Sequence, residues 1–117
     1  MVSTISRTAN IDPQAIVGRN VHVGEGCSIA AHAAVGEACK LGEKCQLGEN
    51  VTLAQDCELL DNVTIGSGAT LGYGVKCESN ASVEEGAQVP AKVRILGGAK
   101  VTKDLAERLN AGEEVSA

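Results

Sequence analysis

The chain has 117 residues, a formal net charge of −5, five cysteines and a single aromatic residue, Tyr73. This length allows one domain with a modest core, and the scattered basic residues of an acidic chain exclude the electrostatic footprint of a nucleic-acid or anionic-membrane binder. No apolar run approaches the roughly 20 residues of a membrane helix and no leader pattern is present, so the sequence favours a cytoplasmic protein.

An aliphatic residue recurs at every sixth position from Ile5 to Ile95, and only Cys77 interrupts the row. The residue two positions before each of these is small or β-branched, so each repeat has the in, out, in pattern of a short strand. Asn or Gly often stands three positions after the aliphatic residue, where a positive φ costs these residues little. The repeat therefore predicts a solenoid in which short parallel strands alternate with sharp corners.

This pattern of a small residue, any residue, Ile, Leu or Val, Gly and two further residues resembles the hexapeptide-repeat family over about residues 3–101. The resemblance implies an all-β fold, a left-handed parallel β-helix of about five triangular coils with three hexads in each. The handedness comes from the resemblance alone, since parallel crossovers are otherwise almost always right-handed. We expect the β-helix over residues 1–101, a short C-terminal α-helix over 102–112 and a frayed tail over 113–117.

The predicted helix follows the last repeat. Asp104 and Glu107 have the spacing of a capping box, Leu105 and Leu109 share one face, and Gly112 is a stop signal. A helix this short is marginal alone, so it must pack on the end of its own prism or on a neighbouring subunit.

The N-terminal end has no comparable cap, because the first repeat begins near Ser3. An open solenoid end exposes apolar side chains and strand edges. Either Met1 and Val2 fold over this end, or two oligomers stack there end to end.

Three hexads per coil sort the outward strand residues into three faces. The first face is charged, and the second and third carry no charged residue within the coils that we compared. These faces hold Thr4, His22, Lys40, Glu58, Lys76 and Arg94 (first face), Asn10, Ser28, Gln46, Thr64 and Ser82 (second face), and Ile16, Ala34, Thr52, Thr70 and Gln88 (third face). Uncharged faces can meet a partner without desolvating ions, so we expect them to form the seam of a homotrimer, the typical state of the family.

Four of the cysteines, Cys27, Cys39, Cys45 and Cys57, occupy the small inward position of the repeat. We interpret them as buried free thiols in a reducing compartment. Residues 18 apart would stack at roughly 4.8 Å, which lies within disulfide range, but parallel side-chain vectors fit a bridge poorly.

His32 is the candidate catalytic residue. It stands at a corner where Asn or Gly is usual, next to small alanines that leave room for a ligand. In acyltransferases of the family, a histidine near a subunit seam acts as general base while acyl-CoA lies between prisms, so the resemblance implies this role for His32 and CoA or acyl-CoA as substrate. The alternative is a surface corner residue without a catalytic role.

Tyr73 and Asn50 are the candidate ligand-binding residues. The Tyr73 ring could stack on an adenine, pack into a subunit seam or simply lie exposed. Glu25, Glu43 and Asp61 share one corner column and form either a weak Ca²⁺ candidate or a solvated acidic edge.

A zinc site of the γ-class carbonic anhydrases needs three histidines, drawn from two subunits, at each of three sites. Two histidines per chain give a trimer six histidines where nine are needed, so this activity is not expected. No bound cofactor is expected either. Two functions remain: an acyltransferase with its site between subunits, or a non-catalytic trimeric scaffold or small-molecule-binding module. The uninterrupted repeat, which leaves no room for a long active-site loop, favours the second, whereas the resemblance to the family favours the first. We take the acyltransferase as the prediction and the scaffold or binding module as the alternative.

Overall fold

The computed structural model describes residues 3–116, in which every strand is two residues long. The elements in chain order are β1 Thr4–Ile5, β2 Asn10–Ile11, β3 Ile16–Val17, β4 His22–Val23, β5 Ser28–Ile29, β6 Ala34–Val35, β7 Lys40–Leu41, β8 Gln46–Leu47, β9 Thr52–Leu53, β10 Glu58–Leu59, β11 Thr64–Ile65, β12 Thr70–Leu71, β13 Lys76–Cys77, β14 Ser82–Val83, β15 Gln88–Val89, β16 Arg94–Ile95, β17 Lys100–Val101, α1 Lys103–Arg108 and β18 Glu114–Val115.

The strands form three parallel sheets, each of which is one face of the solenoid. The first face is ordered β1-β4-β7-β10-β13-β16-β18, the second β2-β5-β8-β11-β14-β17 and the third β3-β6-β9-β12-β15. Through β17 each strand pairs with the strand 18 residues away, as in the register of Glu58 with Lys76. The predicted all-β parallel solenoid with a short C-terminal helix is confirmed, with about six turns rather than about five. Its left hand stays a prediction from the resemblance.

Aliphatic residues and thiols fill the interior without any aromatic ring. Leu41, Leu53 and Leu59 are among the largest fully buried side chains, and no polar or charged side chain is buried among residues 3–116. Since inward positions alternate with outward ones along each two-residue strand, the six-residue repeat itself builds this core.

The corners take their shape from residues in the left-handed backbone region. Asn20 and Asn50 have φ of 57° and 60°, and Gly68 has 74°. We name the corners by the faces that they join: the first corner joins the first and second faces, the second corner the second and third, and the third corner the third and first. His32, Ala38, Lys44, Asp56 and Lys92 adopt the same conformation, at φ near 60°.

The C-terminal end of the solenoid is closed by its own chain. Helix α1 lies beside β15 and buries Ala106. Its N-cap is Thr102, whose hydroxyl accepts a hydrogen bond from the Leu105 N–H at 3.1 Å, so the cap lies two residues before the Asp104 of the predicted capping box. Thr102 takes this role because its extended backbone precedes the helix.

After α1 the chain returns to the first face. Glu114–Val115 pairs with β16 and buries Val115, where the sequence predicts a frayed tail over 113–117. The strand forms because Val115 continues the inward aliphatic row, while the Arg94 guanidinium lies 3.9 Å from the Glu114 carboxylate and 2.8 Å from that of Glu78. Helix α1 thus occupies the side of the last turn where the third face would have its next strand.

Candidate functional site

The candidate site lies on the second corner, where residues 18 apart stack in one column. The Asn50 N–H donates to the Ala31 carbonyl at 3.1 Å, so His32 and Asn50 lie on consecutive coils. Both have φ close to 60°, which turns the chain sharply and leaves their side chains exposed to solvent. The structure therefore brings the candidate base next to one of the two candidate ligand-binding residues.

The His32 imidazole has small neighbours. Ala31 and Ala34 flank it on the surface, and Ala33 is buried beneath. Within residues 3–116 the imidazole makes no hydrogen bond. A catalytic histidine needs a third group that fixes its orientation, and the single chain does not provide that group for the candidate residue within residues 3–116.

Bare backbone continues the column beyond Asn50. Gly68 and Gly86 are the next two residues of the column, and a Cβ built on Gly68 would meet only the Gly86 nitrogen, at 4.0 Å. A Cβ on Gly86 would meet the Lys103 side chain, including its Nζ, at 3.9 Å. Because each coil rises by about 4.8 Å, this track runs about 14 Å from the level of His32 to that of Gly86. It carries an imidazole at one end and an ammonium group at the other.

A shallow groove accompanies the track on the side of the second face. It consists of a cavity of about 340 Å³ that includes Asn10 and Ala31, and one of about 400 Å³ that includes Thr64 and Ser67. The two cavities share Ser28 and Leu47, so they form one continuous surface. Glu49 and Glu85 line it as well, which makes this edge of the corner acidic. Neither His32 nor Asn50 lines the groove.

Tyr73 lies on the third corner, at the opposite edge of the third face from His32. The residue is 51% exposed, and the Lys92 Nζ is 5.7 Å from the ring centroid. The two corners of one chain are separated by a full side of the prism, so a single chain does not bring Tyr73 and His32 into one site. The 18-residue coil predicted from the sequence stacks Ala91 on Tyr73, so the sequence did not identify the next residue, Lys92, as the partner of the ring.

The acidic column is on the first corner. Glu25, Glu43 and Asp61 line one cavity of about 400 Å³ together with His22. The Asp61 Oδ1 accepts a hydrogen bond from the Glu43 N–H at 2.9 Å, which commits one carboxylate oxygen to the backbone. Across the described residues, no group of three His, Cys, Asp or Glu side chains is placed to hold a metal ion. The geometry thus adds no support to the Ca²⁺ candidate.

The cysteines are free and buried, and the structure gives four of them a role that the sequence analysis missed. The Cys45 thiol donates to the Leu60 carbonyl at 2.9 Å, 15 residues further along the chain, and Cys27, Cys39 and Cys57 make the equivalent bond. The Ser3 hydroxyl makes it as well, to the Gly18 carbonyl at 2.8 Å. Ser3 was the signal in the sequence, because it occupies the small inward position with a better donor.

Burial also makes Cys45, Cys57 and Cys77 poor nucleophiles. It raises the pKa of Cys45 to about 11 and that of Cys77 to about 12. The pKa of Cys57 is raised by its hydrogen bond with the Cys39 side chain and by burial. Since the thiolate is the reactive form, none of these three residues is suited to nucleophilic catalysis at neutral pH.

Among the described residues, no helix is long and apolar enough to cross a membrane.

A family model described as bacterial transferase hexapeptide (six repeats) matches residues 38–73. No curated protein matches the chain by sequence.

Several solved structures share the fold at low sequence identity. A mutant of perosamine N-acetyltransferase from Caulobacter crescentus, in complex with CoA and GDP-perosamine, is 18% identical with a TM-score of 0.85, over 100% of this chain and 51% of that one. A mutant of AntD, an N-acyltransferase from Bacillus cereus in complex with dTDP and coenzyme A, is 10% identical with a TM-score of 0.87, over 99% and 78%. The acetyltransferase domain of PglB from Neisseria gonorrhoeae, in complex with acetyl coenzyme A, is 20% identical with a TM-score of 0.60, over 98% and 54%.

The chain thus spans about half the length of the perosamine N-acetyltransferase chain. At these identities the likeness shows the fold. The family match and the parallel solenoid with its six-residue repeat fit the hexapeptide-repeat transferase superfamily.

Proposed function

We propose that this protein is an acyl-CoA-dependent acyltransferase that acts as a homotrimer and transfers its acyl group at the second corner, between subunits. The observation that carries the proposal is the column in which the His32 and Asn50 side chains are followed by bare Gly68 and Gly86 and then by Lys103. His32 removes a proton from the acceptor amine or hydroxyl as the nitrogen or oxygen of that group attacks the thioester carbonyl carbon. The bond between the carbonyl carbon and sulfur breaks, the protonated His32 gives its proton to the sulfur so that CoA leaves as its thiol, and Asn50 donates a hydrogen bond to the reacting group.

The trimer supplies what one chain lacks. The His32 imidazole has no orienting partner within residues 3–116, and a partner from a neighbouring subunit would provide it. The second corner joins the second and third faces, whose outward strand residues are uncharged as far as Ser82 and Gln88, so packing of either face places His32 at the edge of a subunit interface. Tyr73 with Lys92, on the far edge of the third face, would then approach the groove from the adjacent subunit.

The track suits an extended thioester arm. Gly68 and Gly86 let the pantetheine chain approach the backbone closely, and the Lys103 ammonium would meet the phosphates. Glu49 and Glu85 lie beside the same path and repel a polyanion, so we expect modest affinity for CoA.

The comparisons support this choice at the level of the fold, since three of the similar structures are acetyltransferases or acyltransferases with CoA or acetyl-CoA bound. The five free cysteines support a reducing, cytoplasmic compartment.

Substitution of His32 by Asn tests the proposal. Asn adopts φ near 60° at little cost, as it does at Asn50. H32N should therefore fold as stably as the wild type and bind acetyl-CoA equally well in calorimetry. Release of free thiol from acetyl-CoA, measured with a panel of nucleotide-linked amino sugars as acceptors, should fall by about 10²-fold or more because the base is gone. The matched control is Lys44→Asn, at φ 59° on the first corner, which should leave turnover unchanged. Equal turnover in H32N and wild type would contradict the assignment.

A non-catalytic scaffold is the second candidate, and the uninterrupted coils favour it: the strands follow one another at a constant six-residue spacing from β1 to β17, with no inserted loop. In that case the assembled protein should show no heat of binding with millimolar acetyl-CoA. The H32N and K103Q variants should give the same calorimetric result as the wild type.

A further inference from the structure

The His32 imidazole has no orienting partner in its own chain, and one carboxylate at the far edge of the third face is equally unengaged. The Glu37 side chain is exposed and makes no hydrogen bond or ion pair within residues 3–116. His32 stands in the turn before β6 and Glu37 in the turn after it. The width of the third face therefore keeps them apart in a single chain.

The third face is the side of the prism best suited to pack against other copies of the chain. Its five outward strand residues, from Ile16 to Gln88, carry no charge. Ile16 is 69% exposed, the largest exposed fraction of any large hydrophobic side chain in the described part of the chain. The second face is polar throughout and ends in Lys100, so three copies of it around one axis would oppose like charges. The third face is therefore the one that turns toward the three-fold axis of the proposed homotrimer.

The dimensions of the prism allow this packing and a contact between corners at the same time. One side of a coil holds six residues and is at most about 20 Å long, so three inward faces that touch at their ends stand about 6 Å from the axis. Sheets pack about 10 Å apart, and half of that spacing is close to this distance. Every subunit then presents its second corner to one neighbour and its third corner to the other, and the ring closes at three copies. The prism is 36 Å long and 22 Å across, so one face offers up to about 800 Å², the area per partner of a standard interface.

A three-fold axis parallel to the prism leaves the level of every residue unchanged. Successive turns of one chain are six residues apart, one third of a coil, so they differ in level by about 1.6 Å. Each turn of the second corner therefore meets the turn six residues further on in the neighbouring subunit. The turn Ala31–His32 meets Glu37–Ala38, and the imidazole and the carboxylate are the only polar side chains in these two turns.

Two turns further along the prism agree with this register. Bare Gly68 meets Tyr73 of the neighbouring subunit, so the ring covers the track where no side chain competes for the space. Glu85 meets Lys92, which brings unlike charges together at the far end of the track. The same geometry thus explains why the large side chain of Tyr73 stands opposite a glycine.

The level between His32 and Gly68 brings two carboxylates together. Glu49 and Asp56 lie across the contact, with the amide groups of Asn50 and Gln55 in the same two turns. Each amide has two N–H donors for carboxylate oxygens, so donors stand beside both acids and reduce the repulsion.

We propose that Glu37 of the neighbouring subunit is the positioning residue for His32. Its carboxylate accepts a hydrogen bond from one ring N–H, which fixes the ring and its tautomer and leaves the other nitrogen free to take the proton of the acceptor. The negative charge also stabilises the imidazolium that forms when this proton is transferred. The inference rests on the acyltransferase proposed above, because it names the group that the base lacks in one chain. The contact between the two corners can be measured without turnover.

Cross-linking of the full chain tests the contact. In the double variant H32C/E37C, a bis-maleimide about as long as the two side chains that it replaces joins two thiols by addition to both of its rings. A link within one chain leaves the monomer mass, whereas links between the corners of neighbouring subunits give three times that mass on a denaturing gel. Wild type should give only the monomer band, since its five free thiols are buried. The comparison variant H32C/E25C, which pairs the second corner with the first, should give no trimer band.

Turnover in mixed trimers tests the role. E37Q should lose about 10-fold or more in kcat with an unchanged KM for acetyl-CoA, because its amide carries no charge to stabilise the imidazolium, and E37D should recover part of the loss. H32N and E37Q subunits that are co-expressed in equal amounts should regain about a quarter of the wild-type turnover, since one contact in four joins an intact His32 to an intact Glu37. A Glu37 that acted within its own chain would give no such recovery.

The two measurements separate the possible failures. If H32C/E37C gives no trimer band, or if the mixed trimers stay as slow as their parents, the assignment of Glu37 is overturned even where H32N shows that His32 is catalytic. If H32C/E25C gives the band instead, the second face turns to the axis and Glu37 has no role. If the H32C/E37C band forms but wild type turns over no acceptor, the contact stands and the proposed acyltransferase falls.

Discussion

Two glycines on the second corner, two residues apart, should differ sharply in their tolerance of a methyl group. A Cβ on Gly66 would lie 2.5 Å from the Glu85 nitrogen and 2.9 Å from its Cα in the coil above. The atoms that it meets belong to the backbone, so no side-chain rotation relieves the contact and the coils must separate by about 1 Å. That movement strains the neighbouring bond from the Gly66 N–H to the Val83 carbonyl, which is 2.8 Å long.

Gly68 presents the opposite situation. A Cβ there has open space, and its nearest contact is the Gly86 nitrogen at 4.0 Å, but φ is +74°. The cost of alanine is then only the left-handed conformation, about 1 kcal/mol, partly offset by the lower entropy of the unfolded chain. Overpacking against backbone costs about 3 kcal/mol, the upper part of its usual range. We expect Gly66→Ala to be less stable than Gly68→Ala by about 2 kcal/mol.

Urea unfolding followed by circular dichroism measures this difference, and it corresponds to about 8 °C in Tm at the usual sensitivity for a domain of this size. Gly68→Asn is the control, since Asn50 holds the same corner position one coil below at φ 60°, and it should be close to neutral. If Gly68→Ala were as destabilising as Gly66→Ala, the close approach of coils would not be the reason for glycine at position 66.

Three further outcomes are expected. Cys45→Ser should unfold close to the wild-type denaturant midpoint because its hydroxyl can donate to the Leu60 carbonyl as Ser3 does to Gly18, whereas Cys45→Ala should lose about 1 kcal/mol with the donor. Burial raises the folded-state pKa of Cys77 from 9.0 to about 12, so the stabilisation by the protonated thiol is complete below pH 9 and is lost as the pH rises from 9 towards 12. Cys77→Val should flatten that decline of Tm with pH in thermal scans, and an unchanged slope would contradict the role of Cys77. Glu85→Gln should tighten acetyl-CoA binding in calorimetry through the loss of a repulsive charge, with Glu25→Gln on the first corner as the unaffected control.

The sequence predicts the solenoid well because its information is local and repeated. Each inward residue from Ile5 to Ile95 can be assigned from the period alone, and Cys77 fits the row because a thiol is a small apolar group. The stacking of His32 and Asn50 also follows, since 18 residues make one coil.

The features that the sequence missed depend on non-local geometry. Pairing of β18 with β16 breaks the 18-residue register, because Glu114 lies opposite Arg94, 20 residues earlier. The thiol hydrogen bonds reach carbonyls 15 residues ahead, at the same corner of the next coil. The proximity of Lys103 to Gly86, at the end of the column that begins with His32 and Asn50, depends on where α1 packs and does not follow from the repeat.

The constant distance along the chain between paired strands has a consequence for folding. Since partners are 18 residues apart in a chain of 117, the mean sequence separation of strand contacts is about 0.15 of the length, between helical bundles and β-sandwiches. The first pair of coils bears the entropic cost of closing a loop without an existing edge. Each later coil adds to an existing edge at the same small entropic cost. Folding should therefore advance coil by coil, and the closed C-terminal end, where α1 and β18 meet the last coils, is the natural place for it to begin.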